Sequence, residues 1–349
     1  MIRRAITTAG IAAATGVSLR MLGRRGARRL LEAPRTTPDE AALGPALDAL
    51  GGEVVRLRSR DGLRLAGRWL PRSGEAGDWA PDPHEAILLL HGYSGSIVPD
   101  LVEYGPFLRQ TAGLLGLDFR GHGESDDGPT TFGLLEVEDI AGALDWLGER
   151  GITRVALVGT SMGGMSAIAA VAVLGDGSLT SADGDPTAPR DPLPAPRPAI
   201  VAVVAESVPP ELVGPIAARL GGVGRRFVAA RLFDAAAAWL GADPRATEPA
   251  RVIGLVEPVP LLLIHGDADR TVSVEDGRRL ASLAGRSAEH WIVPGAGHSA
   301  GHVTLPNAYE QRVIAFLRAA FLEARGTGPI IAAPGPPAGD PLRTIDMED

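Results

Sequence analysis

The ten residues from Val155 to Gly164 constrain the fold more than any other stretch of this 349-residue chain. Residues 155–158, Val-Ala-Leu-Val, form a short apolar run with β-branched residues at both ends, which predicts a buried strand. Residues 159–163, Gly-Thr-Ser-Met-Gly, follow, and an alanine-rich apolar run at 165–174 predicts a helix. A strand that turns directly into a helix indicates an α/β layer in which the helix covers the sheet.

Ser161 stands at the centre of this turn, in the pattern Gly-x-Ser-x-Gly. Between a strand and a helix, this pattern predicts a nucleophile elbow, a strained turn that exposes the serine hydroxyl at the end of the sheet. Side chains at positions 159 and 163 would collide where the strand and the helix approach, so glycine is needed there. The same pattern also occurs in ordinary glycine-rich turns, but the flanking strand and helix favour a catalytic serine.

The composition excludes several kinds of covalent chemistry. The chain has no cysteine, which excludes disulfides, thiolate nucleophiles and cysteine-ligated metals. All 34 Lys+Arg residues are arginine, so Schiff bases, P-loop phosphate binding and Ser–Lys dyads have no candidate residue. Serine, threonine, aspartate and glutamate remain for covalent catalysis, with histidine as the assisting base.

Strand and helix patterns alternate along most of the chain. Residues 54–59 and 63–70 alternate apolar and polar positions around an Asp-Gly turn, which predicts a β-hairpin. Further strands are predicted at 86–90, 114–118, 155–158, 200–205, 260–266 and 290–293, and amphipathic helices at 137–150 and 309–324. This alternation predicts an α/β fold, a mostly parallel sheet with helices on both faces and the chemistry at the carboxyl ends of the strands.

Composition divides the chain into three regions. We predict a basic N-terminal arm and leader over 1–52, an α/β domain over 53–325 and a disordered tail over 326–349. Within the domain, residues 175–198 are rich in Gly, Asp and Pro and predict a flexible insertion. Residues 208–258 have a helical pattern and predict a helical segment between two strands.

The N-terminal charge is opposite to that of the body. Residues 1–35 carry eight arginines and one acid, about +7, so with a net charge of −8 the remainder is near −15. An acidic body argues against a nucleic-acid partner. The uncharged residues 5–19 are short for a membrane span of about 20 residues, and the arginines after them favour a cytoplasmic location over export. Three interpretations stay open: a basic peripheral membrane arm, a weak anchor or a disordered leader.

A glycine-containing loop follows the predicted strand at 86–90. In residues 91–95, His-Gly-Tyr-Ser-Gly, the backbone N–H of Tyr93 can point towards Ser161, and Met162 adds its own N–H. Two such donors form an oxyanion hole, and the loss of one typically costs about 3 kcal/mol of transition-state stabilisation. We expect the His91 side chain to brace the loop rather than to react.

A serine nucleophile needs a histidine base that a carboxylate orients. His298 follows the last predicted strand in a glycine-rich loop, and it completes the chain order Ser…Asp…His expected of a nucleophile-elbow fold. Asp269, beyond the strand at 260–266, is the preferred carboxylate, whereas Asp267 suits a turn cap. Glu206, at the end of the strand at 200–205, is the alternative acid.

Other polar clusters are predicted to be structural. Residues 118–125, Asp-Phe-Arg-Gly-His-Gly-Glu-Ser, suit a tight hydrogen-bonded turn after a strand. His122 and His290 are expected to be structural as well. His302 lies four residues after His298, so the two could share a helix face as metal ligands, but no third ligand is nearby in the sequence.

Five motifs together resemble the α/β-hydrolase superfamily. They are His-Gly-x-x-Gly at 91–95, Asp-x-Arg-Gly-His-Gly-x-Ser at 118–125, Gly-x-Ser-x-Gly at 159–163, His-Gly-x-x-Asp at 265–269 and Gly-x-Gly-His at 295–298. More narrowly, the chain resembles the esterase/lipase and serine-aminopeptidase-like branch related to prolyl oligopeptidases. The resemblance covers roughly residues 53–325.

The resemblance implies roles for five residues. Ser161 would be the nucleophile, Asp269 the acid and His298 the base, with the backbone of Tyr93 and Met162 as oxyanion donors. It also implies that the helical segment at 208–258 is a small cap over the site, and it implies neither a metal nor an organic cofactor.

The expected function is that of an esterase- or lipase-like serine hydrolase, which cleaves a small-molecule carboxylic ester through an acyl-enzyme. A serine peptidase is one alternative, but it is less expected because no segment of the sequence predicts a propeller-like domain such as related peptidases have. A non-catalytic hydrolase-like binding protein is another alternative, although such a protein would usually lack one member of the triad. The sequence does not indicate an oligomeric state.

Overall fold

An eight-stranded β-sheet runs through the computed structural model, which describes residues 25–36, 40–73, 79–93, 95–174, 197–220 and 222–327. Its strands are β1 (Glu53–Arg58), β2 (Arg64–Leu70), β3 (Glu85–Leu90), β4 (Gly113–Leu117), β5 (Arg154–Thr160), β6 (Ala199–Glu206), β7 (Leu261–Gly266) and β8 (Ala288–Val293). The order across the sheet is β1-β2-β4-β3-β5-β6-β7-β8.

Strand direction changes only at the first edge of the sheet. β2 pairs antiparallel with both β1 and β4, and all the remaining pairs are parallel. The pairings of Leu90 with Gly159 and of Thr160 with Glu206 bring the carboxyl ends of β3, β5 and β6 to one edge. The predicted hairpin and mostly parallel sheet are confirmed.

Helices cover both faces of this sheet. They are α1 (25–31), α2 (Glu40–Leu50), α3 (Ile97–Leu108), α4 (Glu136–Gly148), α5 (Met162–Leu174), α6 (Val213–Leu220), α7 (Arg225–Leu240), α8 (Pro249–Val252), α9 (Val274–Leu283), α10 (Gly301–Thr304) and α11 (Pro306–Thr327). Helices α6 to α8 lie between β6 and β7, within the segment 208–258 for which a small helical cap is predicted. The helix predicted at 309–324 begins earlier, at Pro306, because proline fits the first turn of a helix.

The central strands have no polar face. In β3, Leu88 and Leu90 pack into one core cluster, with α4 and α5, while Ile87 and Leu89 pack into the other, with α3 and α11. Alternate residues of a strand point to opposite faces, so a strand covered on both sides needs a continuous apolar run. This requirement explains the apolar sequence of residues 86–90.

Part of the predicted arm at 1–52 packs against the α/β domain. Ala27 and Leu31 of α1 are fully buried against α7, and Leu47 of α2 is buried in the core cluster that contains α3. The boundary predicted at residue 53 therefore does not coincide with a break in the packing. A count of charges could not reveal this, because the apolar residues of α1 lie between arginines.

Parts of three predicted segments lie outside the described residues. These are residues 1–24 and 37–39 of the arm, 175–196 of the insertion and 328–349 of the tail. Within the part of the chain that the structure describes, no helix combines the length and the apolar character needed to cross a bilayer.

The turn at 118–125 is held by buried charge. Arg120 is 1% exposed and donates to Asp139, which is fully buried, at 2.7 Å, and to Asp61 at 2.7 Å. The Asp118 carboxylate accepts the backbone N–H groups of Ile97, at 2.7 Å, and of Glu124, at 3.0 Å. These contacts tie β4 to α3 and α4, as expected of a structural turn.

Replacement of Arg120 by methionine tests this role. Arg120→Met leaves the Asp139 carboxylate buried without its charge partner, so we expect the free energy of unfolding to fall by about 3–5 kcal/mol. Urea unfolding at constant m-value measures the change. Arg64→Met is the control, since it removes an ion pair with Asp126 that is exposed to solvent and should leave the midpoint almost unchanged. Equal midpoints for the two variants would contradict the structural role.

Candidate active site

Ser161 lies in a strained turn between β5 and α5. Its φ angle is 50°, in the left-handed region that side-chain-bearing residues rarely adopt. A Cβ atom at Gly159 would collide with the backbone of Gly163, and one at Gly163 would collide with the carbonyl of Leu90. The Ser161 N–H donates to the carbonyl of Glu206 at 2.7 Å, which fixes the turn against β6. The predicted steric need for glycine on both sides of the serine is thus visible in the packing.

Three side chains from distant parts of the chain meet beside this turn. His298 Nε2 lies 3.0 Å from Ser161 Oγ, and His298 Nδ1 lies 2.8 Å from Asp269 Oδ2. The Asp269 side chain is fully buried, whereas His298 is 26% exposed. The imidazole therefore bridges a buried carboxylate and a hydroxyl that faces the cleft. Such an arrangement can move a proton away from the hydroxyl.

The Asp269 carboxylate is set up to remain ionised. Its Oδ1 accepts the backbone N–H groups of Thr271, at 2.8 Å, and of Val272, at 2.9 Å. Burial by itself would raise the pKa of Asp269, but the hydrogen bonds from His298 and these two backbone groups outweigh it and lower the pKa below its usual value. An ionised carboxylate orients the imidazole and stabilises its protonated form.

The two predicted oxyanion donors flank the serine. Met162 is the first residue of α5, so its N–H belongs to the helical turn that has no intrahelical acceptors. Tyr93 follows β3, and it lines the same cleft as Ser161, Met162 and His298. Tight contact between the start of α5 and the end of β3 brings these two backbone segments together.

The cleft in front of Ser161 is mainly apolar. Its volume is ≈ 400 Å³, part of which is open to solvent. Apart from Ser161, Met162 and His298, the lining consists of Tyr93, Phe132, Met165, Pro209, Leu212, Pro215, Ile216, Arg219, Thr271 and Val272. Helix α6 supplies one wall, so the cap takes part in forming the cleft.

Glu206, the alternative acid, has other contacts. Its carboxylate accepts the N–H of Gly301 at 2.8 Å and the hydroxyl of Tyr309 at 2.7 Å. Burial raises its pKa, although these two hydrogen bonds oppose the increase. The carboxylate that contacts His298 is that of Asp269. Glu206 instead holds the chain that follows His298.

Two further contacts hold the loop around His298, and sequence analysis missed one of them. Asp267 Oδ1 accepts the N–H of Gly295 at 2.7 Å, so the predicted turn cap reaches across to the histidine loop. Ser207 Oγ accepts the N–H of Ser299 at 2.9 Å, and both serines have positive φ angles near 50°. The only sequence signal for Ser207 is its position directly after β6, a strand whose carboxyl end lies at the same edge of the sheet as that of β5.

His91 and His302 have partners outside the triad. His91 is buried, accepts the N–H of Phe119 at 3.1 Å and donates to the carbonyl of Gly92 at 2.7 Å. Burial, reinforced by nearby His122, lowers the pKa of His91 to about 3, so the ring is neutral and braces the loop. His302 is paired with two glutamates, Glu103 at 3.2 Å and Glu310 at 3.0 Å, rather than with His298.

Comparison with known proteins places the chain in a family. A model of the alpha/beta hydrolase family matches residues 87–316, and the chain belongs to this family. The chain is 25% identical over 291 residues to the uncharacterized protein YfhR of Salmonella typhimurium strain LT2, covering 81% of this chain and 87% of that protein. It is 26% identical over 266 residues to YfhR of Escherichia coli strain K12, and the match covers 75% of this chain and 78% of that protein.

Solved structures show the same fold. The esterase Pf2001 of Pyrococcus furiosus matches with a TM-score of 0.59 at 21% identity, over 83% of this chain and 99% of that one. The alpha/beta hydrolase GrgF of Penicillium sp. sh18 matches with a TM-score of 0.54 at 18% identity, over 78% of this chain and 100% of that one. The predicted superfamily is confirmed.

Asp100, in the first turn of α3, makes stability depend on pH. Burial, together with the charges of Glu103, Glu206 and Asp118, raises the pKa of Asp100 to about 7. Between about pH 4 and about pH 7, Asp100 is therefore protonated to a greater extent in the folded protein than in the unfolded chain. Its contribution to the free energy of unfolding falls as the pH rises, by up to about 1.4 kcal/mol per pH unit.

Asp100→Asn removes this titration. We expect the variant to gain stability relative to the unmodified protein as the pH rises from 5 to 8, as measured by urea unfolding at each pH. Asp48→Asn is the control, because Asp48 is exposed on α2 and its replacement should not alter the slope. Identical pH dependence of the unmodified protein and Asp100→Asn would contradict the raised pKa.

Proposed function

We propose that the protein is a serine hydrolase that cleaves carboxylic esters through an acyl-enzyme. The observation that carries this proposal is the position of His298, with Nε2 3.0 Å from Ser161 Oγ and Nδ1 2.8 Å from Asp269 Oδ2. A serine hydroxyl is a weak nucleophile until a base removes its proton, and this histidine is within reach to do so.

The proposed reaction has two halves. In the first, His298 takes the proton of Ser161 while Oγ attacks the ester carbonyl, and the N–H groups of Tyr93 and Met162 stabilise the oxyanion. The tetrahedral intermediate then releases the alcohol, which leaves with the proton from His298. In the second half, His298 takes a proton from water, the resulting hydroxide attacks the acyl group, and the acid departs as Ser161 regains its proton. Asp269 stabilises the imidazolium in both halves.

An ester of an apolar acid fits the cleft better than a peptide does. Phe132, Met165 and Leu212 line it, and such side chains bind an acyl chain without leaving polar groups unpaired. Similarity in fold to a Pyrococcus furiosus protein named an esterase is consistent with this assignment. The substrate that we propose is a small-molecule ester of an apolar acid, as opposed to a peptide. A cytoplasmic location, favoured by the arginines after residues 5–19, stays a prediction.

Labelling with a fluorophosphonate probe tests for an activated serine. We expect the unmodified protein to be labelled and Ser161→Ala not to be, because the probe forms its covalent bond only with an activated Oγ. Ser282→Ala, on the exposed face of α9, should be labelled as strongly as the unmodified protein. A folded but unlabelled protein would favour the hydrolase-like binding protein instead.

The identity of the acid can be tested by paired substitutions. Asp269→Asn should lower kcat on a soluble p-nitrophenyl ester by about four orders of magnitude without loss of folding, because the imidazole loses its oriented tautomer. Glu206→Gln should cause a much smaller loss. The reverse order of effects would make Glu206 the acid.

A graded panel of substrates separates ester from peptide cleavage. We expect kcat/KM to be higher for p-nitrophenyl esters than for peptide p-nitroanilides and to rise with acyl length until the cleft is filled. Turnover of peptide anilides above that of every ester, abolished in Ser161→Ala, would identify a peptidase.

A further inference from the structure

The junction between α6 and α7 exposes an unusual amount of apolar side chain. We call residues 219–220 and 222–231 the cap tip. Leu220 and Val228 are each 47% exposed, Phe227 is 68% exposed, and Val223 is fully exposed, at 107%. Single exposed apolar residues are common on protein surfaces, but a cluster of four on one short segment marks an interaction surface.

The cap tip is also basic. It contains four arginines, Arg219, Arg225, Arg226 and Arg231, and the chain has no acidic residue between positions 212 and 233. Acids at its two ends pair with two of these arginines, Glu211 with Arg226 at 4.0 Å and Asp234 with Arg231 at 3.2 Å. Even with those two acids counted, the segment has about +2, in a protein whose net charge is −8. Its charge is therefore complementary to an anionic surface.

The cap tip adjoins the mouth of the catalytic cleft. Arg219, its first residue, lines the cleft, and its guanidinium carbon lies 5.0 Å from the centre of the Tyr93 ring. Ile216, one helical turn earlier on α6, lines the same cleft as Ser161. A surface that covered the cap tip would consequently lie next to the entrance to the reacting groups.

The N-terminal region joins the body close to the same place. Gly26 of α1 lies against the side chain of Leu232 on α7, and Leu232 is four residues, about one helical turn, from Val228. The described part of the chain therefore begins beside the cap tip. The sequence before it, residues 1–24, carries four arginines and an uncharged stretch from Ala5 to Leu19. This composition repeats the apolar and basic character of the cap tip.

We propose that the cap tip is the surface by which this protein docks on an anionic lipid bilayer. Apolar side chains such as Phe227 enter the headgroup region, while Arg225 and Arg226 contact lipid phosphates. If the proposed function is correct, docking also defines the substrate class, because the cleft then faces the bilayer and takes acyl esters of membrane lipids.

Co-sedimentation of the full chain with vesicles tests the docking surface. We expect binding to vesicles of phosphatidylglycerol and phosphatidylcholine but much weaker binding to phosphatidylcholine alone, and a loss of binding at high salt. Each arginine near an anionic surface strengthens binding by about fivefold, so Arg225→Gln with Arg226→Gln should weaken it by about 25-fold. Arg56→Gln with Arg278→Gln removes the same charge from exposed ion pairs elsewhere and should alter binding far less.

The apolar contribution is tested in parallel. Phe227→Ser with Val223→Ser should weaken binding to the anionic vesicles by tenfold or more. Leu322→Ser, which changes a 55% exposed apolar residue on α11, should leave binding unchanged. Unfolding midpoints equal to that of the unmodified protein establish that the variants are folded.

Several outcomes would overturn the proposal. Failure of the unmodified protein to bind anionic vesicles is one, and cap-tip variants that bind as well as their matched controls are another. If only deletion of residues 1–24 abolishes binding, the N-terminal segment docks alone and the cap tip has no part in it. If the cap-tip variants instead abolish self-association in size-exclusion chromatography, the surface binds a second copy of the chain.

Docking and catalysis are measured separately. Ser161→Ala should bind vesicles like the unmodified protein. Vesicle binding therefore tests the docking surface even if the proposed function is wrong. Turnover of a soluble short-chain ester should be similar in the cap-tip variants, whereas turnover of a vesicle-embedded acyl ester should fall in proportion to binding. Equal turnover of the embedded ester by bound and unbound variants would contradict the substrate class.

Discussion

The close approach of α5 to the ends of β3 and β5 is the constraint on which the candidate site depends. Gly159 and Gly163 allow this contact, since a single Cβ atom at either position would collide with backbone. The contact forces Ser161 into a left-handed conformation and sets the first N–H groups of α5 beside the loop after β3. The proposed nucleophile and the proposed oxyanion donors are thus positioned by one steric requirement, and a central strand supports them rigidly.

The histidine is positioned differently, through hydrogen bonds from several strands. The loop that carries His298 is held by Asp267, which follows β7, and by Glu206 and Ser207 at the end of β6. Glu206 also binds Tyr309 of α11, so the loop is connected to α11, which covers the face of the sheet opposite to α5. A loop is a flexible support for a catalytic group, and these contacts to regular elements compensate for that flexibility.

The cap unites two regions that composition separated. Helix α1, within the predicted basic arm, packs on α7, while α6 lines the cleft. Charge counting describes residues 1–35 as an arm, yet Ala27 and Leu31 are buried. Two small apolar contacts on a short helix are too weak a pattern to detect without knowledge of the partner surface. The sequence of the cap tip likewise predicts only a helix, because the exposure of its side chains depends on how the rest of the chain packs around it.

The sequence by itself determined the strands, the hairpin, the elbow and the superfamily, because apolar periodicity and obligatory glycines are local properties. It also named Ser161, Asp269 and His298 as the candidate triad, but it left Glu206 as a second carboxylate. Only the tertiary structure showed which acid contacts the histidine, since that depends on how β6, β7 and their loops lie across the sheet edge. It alone also showed that α1 belongs to the body and that the apolar and basic cap tip borders the cleft. Contacts between residues far apart in the chain carry no local signature, so these features arise only when the sheet and its helices are packed together.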